Sequence, residues 1–389
     1  MNGGSIIAQA LKEQRIKFLF TLCGGHVSPV YIEAEKAGIK VIDVRNEATA
    51  VFAADAVSRL TGVTGVAVVT AGPGITNCIT PLKNAELAQS AILVIAGATA
   101  TLLRNRGALQ DIDQVSIVKS LVKKIYKVSR LKKLGPAVQQ AISVAGNGVP
   151  GPVFMECPAD ILYDEAIVRD WYSSIQRKKN NSFKKKVIQW YIQNHINRLF
   201  KEVKQKTFPA AKKDHTPVAT KRQLKKLAGL INQSASPVLV IGSGAMFEPA
   251  LAVELAEAIN TIGIPTYLSG MSRGLLGQNN PVHFHHKRKE ALKKADLIIL
   301  AGLPVDFRLN YGSGFSREAK KITINLNKPE LRKNINPQQT IHCNPAHCII
   351  SLQKETSAWP SWNDWKKELK EQEAKRESEI NEMAARSGN

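Results

Sequence analysis

Gly65-Val66-Ala67-Val68-Val69-Thr70-Ala71-Gly72-Pro73-Gly74-Ile75-Thr76-Asn77 reads as a buried strand that ends in a Gly-Pro-Gly turn and restarts as a helix around Ile75. Upstream, Val44-Arg45-Asn46-Glu47-Ala48-Thr49-Ala50-Val51-Phe52-Ala53-Ala54-Asp55-Ala56 repeats the pattern. Val41, Ile42 and Val44 form a short apolar strand, and Ala50, Val51, Ala54 and Val57 keep the 3.6-residue period of an amphipathic helix. Glu47 therefore falls where strand passes into helix. An acid in a first helical turn is ordinarily there for the helix dipole, yet this one borders an Ala-rich apolar stretch, where a carboxylate is costly unless it has a partner.

Three further segments stand in order behind these: Ala91-Ile92-Leu93-Val94-Ile95-Ala96-Gly97, then Arg106-Gly107-Ala108-Leu109-Gln110-Asp111-Ile112-Asp113-Gln114, then Gly148-Val149-Pro150-Gly151-Pro152-Val153-Phe154-Met155-Glu156-Cys157-Pro158. In that order and spacing the segments resemble the pyrimidine-binding domain of thiamine diphosphate enzymes of the acetolactate synthase superfamily. Within it the sequence is most similar to the acetolactate synthase-like and 2-hydroxyacyl-CoA lyase type, with benzaldehyde lyase a near relation. The resemblance runs from about Gly3 to about Trp365.

Size and composition agree with this. A chain of 389 residues is large for one core, so two domains are expected. The hydrophobic fraction of 44% suits an α/β protein, no apolar run is long enough to span a bilayer, and Met1-Asn2-Gly3-Gly4-Ser5 lacks the features of a signal peptide. By its own sequence the chain reads as soluble and cytoplasmic. The resemblance instead implies the endoplasmic reticulum membrane, reached through an N-terminal anchor. The five cysteines, Cys23, Cys78, Cys157, Cys343 and Cys348, are odd in number and fit reduced thiols better than a disulfide framework.

The net charge of +22 invites a nucleic-acid reading, but no recognition module is visible. Half of the excess lies between Ser173 and Lys213, where twelve Lys and Arg residues face one acid, Glu202. Within this connector, Val187, Trp190, Tyr191, Ile196, Leu199 and Phe200 are expected to share one helical face. Such a face flanked by cations suits either an anionic membrane surface or packing on the protein itself.

After the connector, Gln223 to Ile231 reads as helix, Pro237 to Ile241 as strand, Pro249 to Ile262 as helix, Ile264 to Leu268 as strand, and Ala295 to Ala301 and Lys321 to Leu326 as further strands. Alternation of this kind predicts a parallel sheet with helices on both faces. The fold expected is thus α/β, with two doubly wound parallel-sheet domains: a pyrimidine-binding domain over 1–170, a basic connector over 171–215, a Rossmann-like central domain over 216–358, and a charged linker over 359–389. The turn Ile241-Gly242-Ser243-Gly244-Ala245 holds half of a dinucleotide fingerprint, which a tight turn alone explains, so FAD is not expected. Two clusters, His283-Phe284-His285-His286 and His342-Cys343-Asn344-Pro345-Ala346-His347-Cys348, hold ligand-type residues without a complete zinc spacing, and no metal is expected on either.

The resemblance implies roles for particular residues. Glu47 is to hydrogen-bond the cofactor's aminopyrimidine ring, so that the ring's imino nitrogen takes the proton from thiazolium C2. A carboxyl in a dry pocket can share a proton in this way. His26, in Phe20-Thr21-Leu22-Cys23-Gly24-Gly25-His26, matches a pocket histidine of the benzaldehyde lyase type, and Gln110 matches a glutamine lining the reacting face. Gly25, Pro73 and Asn77 are the further cofactor-binding candidates. The implied reaction cleaves a 2-hydroxyacyl-CoA to formyl-CoA and a shortened aldehyde, with His26 handling the hydroxyl proton and Gln110 positioning it. An acetolactate synthase-type carboligation of 2-keto acids is the alternative. Asn46 stands where many relatives have histidine, which leans toward the acyl-CoA type. No Gly-Asp-Gly occurs in the sequence, whereas the family's C-terminal domain uses that motif to hold Mg²⁺ and the diphosphate. The chain alone is therefore expected to be incomplete and inactive, and the complete protein to be a homodimer or homotetramer. A non-catalytic scaffold or regulatory subunit is the remaining class, disfavoured because Glu47, His26 and Gln110 are all present.

Overall fold

In the first unit of the chain, Met1–Asp214, six strands form one parallel sheet. They are β1 (Phe18–Thr21), β2 (Lys40–Asp43), β3 (Gly65–Val69), β4 (Ile92–Ala98), β5 (Lys124–Lys127) and β6 (Val153–Pro158), in the spatial order β2-β1-β3-β4-β6-β5. The structure is a computed structural model and describes residues 2–174, 183–201, 207–210, 215–356 and 358–386. Strands β3, β4 and β6 are buried at every position, as expected of parallel strands covered on both faces. Their alternate residues feed two separate cores. Val66, Val68, Leu93 and Ile95 pack on one side with Ile7 and Leu11 of α1 (Gly3–Glu13), Val30 of α2 (Ser28–Lys36) and Val138 of an Ala-rich helix at Leu134–Gly146. Ala67, Val69, Ile92 and Val94 pack on the other side with Ala50 and Val51 of α3 (Glu47–Thr61) and Leu82 of the helix Ile79–Ala88.

Strand order reverses at β1, whose neighbours are β2 on one side and β3 on the other. The carboxyl ends of β1 and β3 thus flank a topological switch point, the place where open α/β sheets bind ligands.

The connector helix departs from its expectation. The helix Phe183–Leu199 does not present Val187, Trp190, Tyr191, Ile196, Leu199 and Phe200 on one free face. Ile196 and Leu199 are buried in the first unit's cores and Phe200 packs against them, while Val187, Ile188, Trp190 and Tyr191 are exposed. The reason is a polar latch at the buried end. Nε2 of His195 lies 2.7 Å from the Thr101 hydroxyl, which in turn donates to Oδ2 of the fully buried Asp160 at 2.5 Å. Tyr172 donates to the same oxygen at 2.7 Å. Most of the cation-rich flanks, 175–182, 202–206 and 211–214, lie outside the described residues.

The second unit, His215–Asn389, has its own parallel sheet of β7 (Pro237–Ile241), β8 (Thr266–Leu268), β9 (Leu297–Ala301), β10 (Lys320–Asn325) and β11 (Gln339–His342), in the order β11-β10-β9-β7-β8. The helix read from Pro249 begins as a 3₁₀ turn, Pro249–Leu251, before the α-helix Ala252–Ile262. The half-fingerprint turn has a packing role. A Cβ on Gly242 would stand 2.5 Å from the Gly302 carbonyl oxygen, and Gly244 N donates to that oxygen at 2.8 Å, so the glycines let the loops after β7 and β9 meet. The long helix Asn363–Arg386 starts inside this core: Trp365 and Leu369 are buried, and the Trp362 and Trp365 indoles donate to Ser234 and Pro237 carbonyls. Among the described residues no helix is long and apolar enough to cross a membrane.

Candidate active site

Glu47 is the first residue of α3, placed there by Asn46, whose side chain caps the helix by accepting from Ala48 N at 2.8 Å. That local duty accounts for asparagine at 46 without reference to any substrate. Glu47 is only 5% exposed. Its Oε2 accepts from Asn77 Nδ2 at 2.8 Å, and Asn77 is set by the Gly72-Pro73-Gly74 turn: Gly72 caps the short helix Pro73–Thr76 with φ +62°, and Asn77 follows it directly. The other oxygen, Oε1, lies beside Gly74, where an added Cβ would come within 3.5 Å of it. No hydrogen bond holds Oε1 among the described residues. Cys78, behind the turn, is pushed up to about 12, by burial first and by the Glu47 charge second, so its thiol stays protonated and donates to the Gly74 carbonyl.

Across the switch point, the β1 loop brings His26 against the end of β3. His26 Nδ1 lies 3.2 Å from Thr70 Oγ1, and the Thr70 hydroxyl donates to Gln110 Oε1 at 3.3 Å. The polarity of this chain follows from its last link: with its proton given to Gln110, Thr70 can only accept from His26, which puts the imidazole proton on Nδ1 and leaves the lone pair on Nε2. Burial holds the His26 pKa below the ordinary histidine value, so the ring is neutral at pH 7. Gln110 keeps its amide N–H groups for another partner. Its backbone lies in the left-handed region at φ +60°, which a non-glycine residue adopts at a cost and which is common at ligand sites. Close approach at this point requires Gly97 at the end of β4, where a Cβ would stand 2.5 Å from His26 Cβ.

The structure thus joins Glu47 to Asn77 in one contact and His26 to Gln110 in another, both at the carboxyl edge of the β2, β1 and β3 strands. Pro73 enters as the first residue of the turn helix. Gly25 is held by its carbonyl, which accepts from the Tyr163 hydroxyl, and space around its Cα is open. Thr70 and Gly97 are the site residues that sequence reasoning passed over. The available signal for Thr70 was a single hydroxyl closing an otherwise apolar strand. Among the described residues neither ligand-type cluster brings three such side chains around one point: His342 bonds the Leu326 carbonyl and His347 faces Glu248, while His283 and His285 stack with ring centroids 3.9 Å apart and His285 and His286 face Glu373 and Glu377.

These residues suit the pyrimidine end of thiamine diphosphate. A buried carboxyl with one oxygen tied down and one free can share a proton with a single ring nitrogen, and Gly74 keeps that side clear of a side chain. Residues 1–117 match the model for the N-terminal TPP-binding domain of thiamine pyrophosphate enzymes, and residues 224–352 match the model for their central domain. The chain is 42% identical to 2-hydroxyacyl-CoA lyase 2 of Danio rerio over 95% of its length and 60% of the relative's, and 40% identical to the Homo sapiens protein of that name over 99% and 61%. It is 30% identical to a probable acetolactate synthase of Mycobacterium bovis over 85% of its length and 54% of the relative's. The chain thus spans about three fifths of the lyases it matches. Two parallel α/β units, a buried glutamate at the first switch point and both domain matches lead to one statement: the chain belongs to the thiamine pyrophosphate enzyme family, of which it carries the N-terminal and central domains.

Proposed function

We propose that this chain provides the pyrimidine-side half of the active site of a thiamine diphosphate-dependent lyase that cleaves 2-hydroxyacyl-CoA to formyl-CoA and an aldehyde shortened by one carbon. The cofactor, when bound, supplies the carbon nucleophile. Glu47, anchored by Asn77, holds and shares a proton at the cofactor's pyrimidine ring. His26, neutral and with its lone pair on Nε2, accepts the proton of the substrate's 2-hydroxyl, and Gln110 donates its amide N–H to a substrate oxygen. The observation that carries the reading is the His26–Thr70–Gln110 chain, which fixes a base and a donor side by side. Mg²⁺ and the diphosphate are assigned to parts of the complete protein beyond these two domains, and an assembly of two or four copies is proposed for it.

The test is an assay of the complete protein, supplied with thiamine diphosphate and Mg²⁺, on a 2-hydroxyacyl-CoA. Formyl-CoA together with the shortened aldehyde is the expected outcome. Similarity to acetolactate synthases supports a second reading, carboligation of 2-keto acids. Acetolactate formed from pyruvate, with no formyl-CoA, would favour it. We also propose that the exposed Val187, Ile188, Trp190 and Tyr191, next to Lys186, meet an anionic membrane surface.

A further inference from the structure

Gly24-Gly25-His26 carries the base of the proposed site on a loop with little of its own to hold it. A glycine pair leaves the backbone free to take many conformations. A Cβ on Gly25 would meet nothing within 4 Å, so packing does not fix this residue. Its carbonyl accepts a hydrogen bond from the Tyr163 hydroxyl at 2.5 Å, and no other hydrogen bond reaches Gly25 among the described residues. Tyr163 thus pins the backbone immediately before His26, whose ring has to stay beside Thr70 for the chain to Gln110 to close.

Tyr163 is itself well anchored. It follows the helical turn Ala159–Leu162, with its N–H donating to Ala159 O at 3.2 Å, and its ring leans on Trp171 of the helix Glu165–Ser174 with centroids 4.8 Å apart. Earlier in the same turn stands the fully buried Asp160. Its Oδ2 takes the Thr101 N–H at 2.9 Å as well as the Thr101 and Tyr172 hydroxyls. A buried carboxylate is costly, and this one directs two of those three bonds to Thr101, at the root of the loop that runs on to Gln110. The turn therefore grips both loops of the site, one through Tyr163 and the other through Asp160. Arg169 ties the far side of this frame to the connector helix, at Gln193 Oε1 and at Asn197 Oδ1.

We propose that Tyr163 is a positioning residue for His26, and that the turn carrying Asp160 and Tyr163 is the frame that sets His26 and Gln110 at one spacing. Tyr163 acts on His26 through the Gly25 carbonyl and not on the substrate. Its effect on catalysis rests on the lyase reading; its effect on the His26 ring does not.

The experiment is Tyr163→Phe, which removes one hydroxyl from a partly exposed side chain and keeps the ring on Trp171, so the melting temperature should hold. In this chain the His26 ring signals, assigned by their loss in His26→Asn, are followed by NMR against pH. Burial is what holds the His26 pKa below the ordinary histidine value. A loop released by Tyr163→Phe should let water reach the ring, and the pKa should rise toward the ordinary value of about 6.5. Because an aromatic ring is kept at 163, a moved signal reports the loop and not a lost ring current. In the complete enzyme the same variant should lower kcat on a 2-hydroxyacyl-CoA roughly fivefold or more, with KM changed less than about twofold. A His26 titration identical to wild type overturns the proposal, and a lowered melting temperature with His26 unmoved would make Tyr163 a structural residue alone. If His26 moves but the wild-type enzyme makes no formyl-CoA, the positioning role stands and the lyase reading falls. If formyl-CoA is made and Tyr163→Phe leaves kcat unchanged, the positioning role falls and the lyase reading stands.

Discussion

Thr70 is the residue on which the candidate site's chemistry turns, since its one hydroxyl sets the tautomer of His26 and fixes the amide of Gln110. Thr70→Val keeps the shape and deletes the relay. Loss of one such hydrogen bond, worth roughly 1–1.5 kcal/mol, should lower kcat of the complete enzyme about tenfold with little change in KM. His26 makes a pH prediction whose sign is set by burial. Because its pKa lies below the ordinary value of about 6.5 and the neutral ring is the working form, the acid limb of kcat/KM should be centred below pH 6.5. An acid limb centred above pH 7 would remove His26 from the role of base. Glu47→Gln keeps volume and the Asn77 neighbour but cannot share a proton, so exchange of the cofactor's C2 proton, followed by NMR, should slow at least a hundredfold. Glu47 stood out in the sequence as an acid bordering an apolar stretch, whereas His26 and Gln110 were candidates through the family resemblance alone. Thr70 and Gly97 were not read from it, because their contacts depend on which strand end lies next to which loop, and no periodicity encodes that.

The connector helix Phe183–Leu199 was legible as a helix, but the sequence did not say which of its apolar residues pack on the protein and which stay exposed. Its apolar residues were all visible, but the latch that buries half of them is built from Asp160, Thr101 and Tyr172, far away in sequence. Burial pushes the Asp160 carboxyl up. Bonds from Thr101 and Tyr172, with His195 acting through Thr101 since it stands 4.0 Å from the carboxylate, outweigh this and hold the carboxyl below its usual range. A depressed carboxyl contributes stability above its unfolded value near 3.9 and loses it as pH falls through the folded value. Asp160→Asn should therefore destabilise the first unit by roughly 2–3 kcal/mol at pH 7, with the gap in urea midpoint closing below pH 4. The free end makes a separate prediction. Vesicles containing anionic lipid should bind the chain at low salt and release it at high salt, and Trp190→Ala with Tyr191→Ala should weaken binding with every charge intact. Equal partitioning onto neutral vesicles would contradict it. The strands least legible in the sequence were β5 and β11, both at sheet edges, where Lys124-Ile125-Tyr126-Lys127 and Gln339-Thr340-Ile341-His342 each have polar ends rather than a continuous apolar run.

At the scale of the whole chain, the α/β architecture was legible because central parallel strands must be apolar on both faces, which leaves runs such as Val66-Ala67-Val68-Val69 and Leu297-Ile298-Ile299-Leu300, here alternating with helical segments. What composition alone did not supply is how the cores are partitioned. The buried clusters of the first unit draw on residues from Ile6 to Phe208, including Phe208 itself, whose ring occupies the space beside Gly135. The cluster of the second unit runs from Leu224 to Leu369 and takes in Trp362 and Trp365. Each unit also closes its own sheet, with six strands in one and five in the other, so neither borrows a strand to satisfy its backbone. Residues 1–214 and 215–389 expressed as separate chains should therefore each unfold in a single cooperative transition, followed by circular dichroism in urea. Ending the second chain at 358 removes Trp362, Trp365 and Leu369, each of which fills core volume, and should lower its stability by several kcal/mol. A first unit that is molten alone, or a second unit unmoved by the shorter end, would show that these cores are not the independent units their packing describes.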